Sequence, residues 1–414
     1  MEHATAIVIG AGHAGLAMSR ALSRRSIDHI LLERGGPGHA WRTERWDSLR
    51  MLTPNWANGL AGAPYDGADP DGYMNATEFA DRLARYAVTI EAPLRTDVTV
   101  RRVSRMAGSG RPGFLVETDQ GPFSAEIVVN ATGATAQPRV PALAAEIPSH
   151  VTQITPNRYR GPADLPPGDV LVVGASASGV QLAREIQLSG RQVTLAVGAH
   201  VRLPRRYRGR DIEYWLETSG INDERAEKVE DLSRARRLPS PQLLGGGIVD
   251  LNALQGLGIE VVGRLSALRD GKALFSGGLA HLTASADLKM HRALDRIDAW
   301  IGAMARDAGT SPPDRPDPTT IPEAPRLSRD LSGTLSTLVW ATGYRPDHTW
   351  LDLPVFDPRG RLRHDGGVCP VPGLYVLGLP VLRRRRSHHI SGASADSQDL
   401  SSLIARHLDA CRAA

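Results

Sequence analysis

Only two cysteines, Cys369 and Cys411, occur in 414 residues, and they sit far apart. They form no Cys-x-x-Cys or similar pair, which argues against a metal site and against a dithiol redox centre. No run of about 18 apolar residues is present to span a membrane. The sequence opens on an apolar strand rather than on the charged, apolar and cleavage-site regions of a secretory signal, so a cytoplasmic location is expected. Charge of either sign is not in excess: 49 Lys and Arg against 45 Asp and Glu leave a net +4, which excludes a nucleic-acid footprint. The one dense run, Arg383-Arg384-Arg385-Arg386, reads as an exposed loop. His388-His389 do not add up to a metal site, because adjacent histidines cannot face one ion from a helix and no third ligand is spaced to help.

What is present is glycine, in two clusters. Gly10-Ala11-Gly12-His13-Ala14-Gly15 and Gly174-Ala175-Ser176-Ala177-Ser178-Gly179 each follow an apolar strand and open a helix. In that setting glycine lets the backbone turn tightly and approach a pyrophosphate, whose charge sits against the unpaired N–H groups of the helix N-terminus. At the first cluster a strand over 4–9 leads in, the helix runs through Leu16, Ala17, Ala21 and Leu22, and a second strand over 30–32 ends in Glu33. An acid about 20 residues past the glycines is where a ribose hydroxyl pair is gripped. At the second cluster the strands are 169–173 and 192–197, and no acid follows; Gly198-Ala199-His200 lead instead to Arg202, Arg205 and Arg206. A carboxylate would repel a ribose 2′-phosphate, whereas arginines pair with it. The first unit therefore reads as FAD-binding and the second as NADPH-binding, with a solvated arginine surface as the plainer alternative for 202–206. A chain that holds two nucleotides moves electrons between them.

Two further segments, 127–134 and 338–346, end apolar strands at Ala131-Thr132-Gly133 and Ala341-Thr342-Gly343. Small residues there allow a chain crossing close to a nucleotide or between domains. Their placement on either side of the second fingerprint predicts an α/β fold of two Rossmann-like domains, the NADPH domain inserted into the FAD domain. The expected parts are residues 1–150 for FAD, 151–330 for NADPH, and 331–414 for the return segment and C-terminal helix. The Pro-rich stretch 312–318 reads as a loop, and 287–300, with Leu288, Leu294, Ile297 and Ile301, reads as an amphipathic helix packed in a core. Lacking the close cysteine pair of a disulfide reductase, such a chain sends its electrons to oxygen, to an external acceptor or directly to a substrate.

Taken together, these residues resemble the class B flavoprotein monooxygenases, which include the flavin-containing, N-hydroxylating and Baeyer–Villiger enzymes. The resemblance spans nearly the whole chain: both fingerprints in order, Glu33, both Ala-Thr-Gly segments, and the stretch from Trp41-Arg42 through Trp46 to Trp56. It implies that this stretch lies along the flavin, with Asn55 beside the reactive ring as the catalytic residue; a turn residue after Pro54 is the plainer reading of Asn55. It implies flavin contacts from His13, Ala14, Arg34, Trp41, Arg42, Thr53, Val98 and, on the final helix, Asp396. NADPH contacts would come from Gly174, Ser176, Ser178, Gly179 and the arginines. The family signature before the second fingerprint falls on 149–160, where Tyr159 matches the final aromatic, but Ser149, Val151 and Thr155 replace its Phe, Gly and His. Tyr159-Arg160 leans away from the Baeyer–Villiger branch, and His150 reads as a surface histidine.

By this resemblance NADPH reduces the flavin and oxygen adds to give a C4a-hydroperoxide, shielded from water. The flavin carries the oxygen chemistry, which is why no acid–base pair stands out. The expected substrate is a small molecule with a soft nucleophile, an amine nitrogen or a sulfide sulfur, with O2 as co-substrate. A flavoprotein reductase, a Baeyer–Villiger enzyme and a nucleotide-binding regulator without turnover are the alternatives. A homodimer is one of the assemblies allowed.

Overall fold

The computed structural model describes residues 1–106, 113–304 and 310–413. Its core is two sheets. The first grows around Glu2–Ile9, whose second half is buried on both faces and apolar throughout, as a central parallel strand must be. It pairs in parallel with His29–Leu32 on one side, Val8 opposite Leu31, and with Gly121–Asn130 on the other, Val8 opposite Val129. Leu94–Arg95 extends one edge; Phe114–Thr118 and Val100–Arg105 extend the other as antiparallel strands, and Leu374–Val376 joins Gly121–Asn130 in parallel. The helix His13–Ser23 leaves the first fingerprint and packs beside the final helix, Ile390–Ala413.

The second sheet is wholly parallel, in the order Glu260–Val262, Val193–Ala196, Asp169–Val173, Leu335–Trp340, Thr152–Ile154. Leu335–Trp340 thus departs from the expected return at residue 331. Its apolar side chains complete the second core, with Trp340 2% exposed, and Val339 stands opposite Val172. The crossing follows Gly343 instead. There Tyr344–Arg345 pairs antiparallel with Gln137–Pro138, so the segments after the two Ala-Thr-Gly turns run side by side. His150, exposed as expected, also ties its ring to the Leu331 carbonyl at 2.9 Å.

A third layer is helical. Leu279–Ala303 buries Met290, Leu294, Ile297 and Ile301 against Tyr207, Ile212 and Trp215. Leu288, expected in that core, is 51% exposed. The inward stripe runs Thr283, Asp287, Met290, Leu294, Ile297, Ile301 in steps of three and four, and 288 lies about 100° round the helix from 287.

The arginine run is not an exposed loop either. Arg383 pairs with Asp399 at 3.2 Å, Arg384 with Asp396 at 2.5 Å and Asp399 at 2.9 Å, Arg385 with Glu224, and Arg386 with Glu217 and Asp223. Backbone bonds from Ala226 N–H to Arg383 O and from Arg386 N–H to Asn222 O make it a clasp between the final helix and residues 217–226. Among the described residues no helix is long and apolar enough to cross a membrane.

Candidate nucleotide-binding sites

At the first fingerprint, steric demands dictate the sequence. Gly10 adopts φ +104°, and a Cβ there would stand 2.8 Å from the Ala131 carbonyl oxygen; one on Gly15 would overlap the Gly10 carbonyl. The glycine turn and the first Ala-Thr-Gly are therefore one steric unit. Gly12 has no heavy atom within 4 Å of where a Cβ would be, and the helix it precedes has neither a side-chain cap nor an acid in its first turn, which leaves its first N–H groups without a side-chain acceptor. Glu33 braces the turn, accepting from Ala11 N–H at 2.7 Å and from Gly35 N–H at 3.3 Å, while Val98 N–H donates to the Glu33 carbonyl. Thr132 donates its N–H and hydroxyl to Asn130 Oδ1, and Gly133 turns at φ +80°.

Two buried polar atoms here have no protein partner: Asn130 Nδ2 and His13 Nε2. Buried polar atoms are ordinarily paired, so these fit a polar ligand lying along the turn, as FAD would. Burial also pushes His13 down to about 4, and His388, exposed but stacked edge-on against His389, is lowered as well. Both imidazoles are neutral near pH 7.

Other expected flavin contacts are drawn elsewhere. Arg34 pairs with Glu44, and Arg42 with Asp81 at 2.6 Å on the surface. Trp41 stacks edge-on against Phe79 and beneath the Arg45 guanidinium, and Thr53 donates to Asn58 Oδ1 at 2.6 Å. Asn55 is corrected: its Nδ2 donates to the Asp69 carbonyl at 2.8 Å and, at 3.4 Å, to Tyr65 Oη, and its Oδ1 accepts from Met74 N–H at 2.8 Å. A carboxamide so committed staples residues 69–74 and has no donor to spare for a ligand.

The second fingerprint repeats the first. Gly174 adopts φ +111°, where a Cβ would overlap the Ala341 carbonyl, and a Cβ on Gly179 would overlap the Gly174 carbonyl. The helix Ala177–Leu188 starts after Ser176 without a side-chain cap, and Ser178 is half-buried in its first turn. The structure adds Gln242, 2% exposed, whose Nε2 donates to the Ala175 carbonyl at 2.8 Å and whose Oε1 is buried without a partner. Nothing local in the sequence marks it.

The arginines are the main correction. Arg202 is 3% exposed and held by Asp250 at 2.6 Å and Asp287 at 2.7 Å. Arg205 is held by Asp211 at 2.6 Å and donates to the Leu52 carbonyl, which ties the 41–56 stretch to the second unit. Arg206 is exposed and bonds its own hairpin at the Gly209 carbonyl. The chain turns inward after His200, and a buried guanidinium persists only with carboxylates around it, so Arg202 and Arg205 are not free for a phosphate. Thr155 donates to Asn157 two residues on, and Tyr159, 1% exposed, packs in the core of the second unit. Both cysteines are free: Cys369 is buried, its thiol pushed up to about 12, and Cys411 is exposed on the final helix. Among the described residues no His, Cys, Asp and Glu cluster could hold a metal.

The sequence model of the pyridine nucleotide-disulphide oxidoreductases matches residues 7–231. The chain belongs to that family. This oxidoreductase is 31% identical over 411 residues to the CzcO-like oxidoreductase of Geobacillus kaustophilus, covering 98% of this chain and 100% of that one. It is 28% identical over 215 residues to indole-3-pyruvate monooxygenase YUCCA6 of Arabidopsis thaliana, 49% of this chain and 50% of that protein. Its fold is shared with the flavin-containing monooxygenase from Stenotrophomonas maltophilia, at TM-score 0.67 and 20% identity over 99% of this chain and 100% of that one. The chain is thus an oxidoreductase whose fold is that of the flavin-containing monooxygenases.

Proposed function

We propose that the protein uses NADPH and O2 to place one oxygen atom on a soft nucleophile, an amine nitrogen or a sulfide sulfur, of a small molecule. The observation that carries this reading is the pair of like-built glycine cradles on adjoining sheets, with both cysteines free and unbridged: Cys369 a buried thiol, Cys411 exposed on the final helix. When bound, the flavin supplies the redox and oxygen chemistry. The chain's own part is to hold and shield. The N-terminus of His13–Ser23 receives one pyrophosphate, and Gly174, Ser176, Ser178 and Gly179 cradle the other. Asn55 and Asn58 pin the segment over 53–74, and Tyr73, donating to Asp211 at 2.6 Å, joins that segment to the second unit. In domain terms the NADPH unit is an insertion running from about residue 151 to the turn at Gly343.

The test is oxygen uptake with NADPH and 18O2 across amines, amino acids, sulfides and ketones. The expected result is an amine or sulfide product carrying one labelled oxygen per NADPH consumed. A lactone or ester from a ketone would overturn the choice of nucleophile, and NADPH oxidation recovered wholly as peroxide with every class would overturn oxygen transfer itself.

A further inference from the structure

In a dinucleotide-binding unit the group that reads the ribose stands at the carboxyl end of the second strand. In the first unit that is Glu33, directly after His29–Leu32. In the second unit the corresponding strand, Val193–Ala196, runs into Val197-Gly198-Ala199-His200, which carries no charge near pH 7: burial lowers the pKa of His200, whose ring is 3% exposed and turned back on the Gly198 carbonyl at 3.0 Å. Arg202 and Arg205 are committed to carboxylates. The neighbouring parallel strand, Glu260–Val262, ends level with it, Val262 opposite Ala196, and delivers Gly263-Arg264 to the same end of the sheet.

Arg264 is exposed, has no carboxylate partner among the described residues, and places Nε 3.7 Å from where a Cβ on Gly198 would be. Its backbone is fixed: Ser276 N–H donates to the Arg264 carbonyl at 2.9 Å, and a Cβ on Gly263 would overlap the Ser276 carbonyl. A rigidly based guanidinium without a carboxylate partner, beside the one position of the turn that lacks a side chain, suits a phosphate dianion.

We propose that Arg264 takes the 2′-phosphate and is the residue that selects NADPH over NADH. This rests on the second unit being the NADPH site. The test is calorimetric binding of 2′,5′-ADP and of ADP to the FAD-loaded enzyme, without substrate or turnover. The parent is expected to prefer 2′,5′-ADP, Arg264→Ala to lose at least tenfold in affinity for it and less than twofold for ADP, and Arg264→Lys to keep part of the preference. A parent without preference, or an Arg264→Ala variant that loses neither ligand or both equally, would overturn the assignment. Because no product is measured, a binding result of the expected kind with no oxygenated product in the screen above would sink the proposed reaction and leave Arg264 standing.

Discussion

Glu213 offers the sharpest test of the seam between the second unit and the final helix. It lies on the short helix Ile212–Thr218, is 6% exposed, accepts from Asn222 Nδ2 at 2.8 Å and faces the His389 ring at 3.9 Å. Burial, then the neighbouring Glu217 and Asp211 carboxylates, push its carboxyl up to about 7, against the opposing pull of Arg205 and Asn222. Below its ordinary value of 4.5 the group is protonated in both folded and unfolded chains and makes no difference. Between 4.5 and about 7 the unfolded chain releases a proton that the native state keeps, so native stability falls as pH rises through that window.

At about 1.4 kcal/mol per unit the loss is of order 3 kcal/mol. Glu213→Gln keeps an acceptor for Asn222 and removes the titration. Its advantage over the parent should therefore be about 3 kcal/mol larger at pH 8 than at pH 5. Taking about 2 cal/mol/K of unfolding entropy per residue, that is roughly 3–4 °C in the difference of thermal midpoints, read by flavin release from the FAD-loaded proteins. His13, His388 and His389, lowered to about 4, 3 and 4, destabilise the fold as pH falls below 6.5, but they do so in both proteins and cancel. A midpoint difference that is the same at both pH values, or that opens toward acid, would refute the reasoning.

Gly10→Ala should purify without flavin colour because its Cβ meets the Ala131 carbonyl, whereas Gly174→Ala should keep the colour and lose at least tenfold in 2′,5′-ADP affinity; absorbance and calorimetry check both. Arg384→Ala leaves the Asp396 carboxylate, 0% exposed, without its cation, and should cost about 3–5 kcal/mol in denaturant unfolding. Asn55→Ala should lower stability by about 1–3 kcal/mol through the freed Asp69 carbonyl and Met74 N–H; peroxide leakage rising at unchanged stability would instead return Asn55 to the reacting centre. Cys369→Ala with Cys411→Ser should leave NADPH oxidation within twofold of the parent, and a loss beyond tenfold would revive a thiol route.

The parts of this molecule that were legible in its sequence are those whose cause is local. Gly10, Gly15, Gly174 and Gly179 are required because a Cβ would strike backbone, in each cradle at a carbonyl of the turn itself or of the Ala-Thr-Gly strand beside it, and such a demand has only one residue that answers it. Glu33 is likewise fixed by its distance from the turn. Partner choice is not local. Leu335–Trp340 is an apolar strand in any reading, and only pairing with Asp169–Val173 assigns it to the second sheet. Charge is less legible still. The carboxylates that claim Arg202 lie 48 and 85 residues away, and those that claim Arg385 and Arg386 belong to another layer. An arginine near a nucleotide motif therefore carries a sign but no address. In this fold the address comes from the neighbouring strand, and it points to Arg264, which no motif contains.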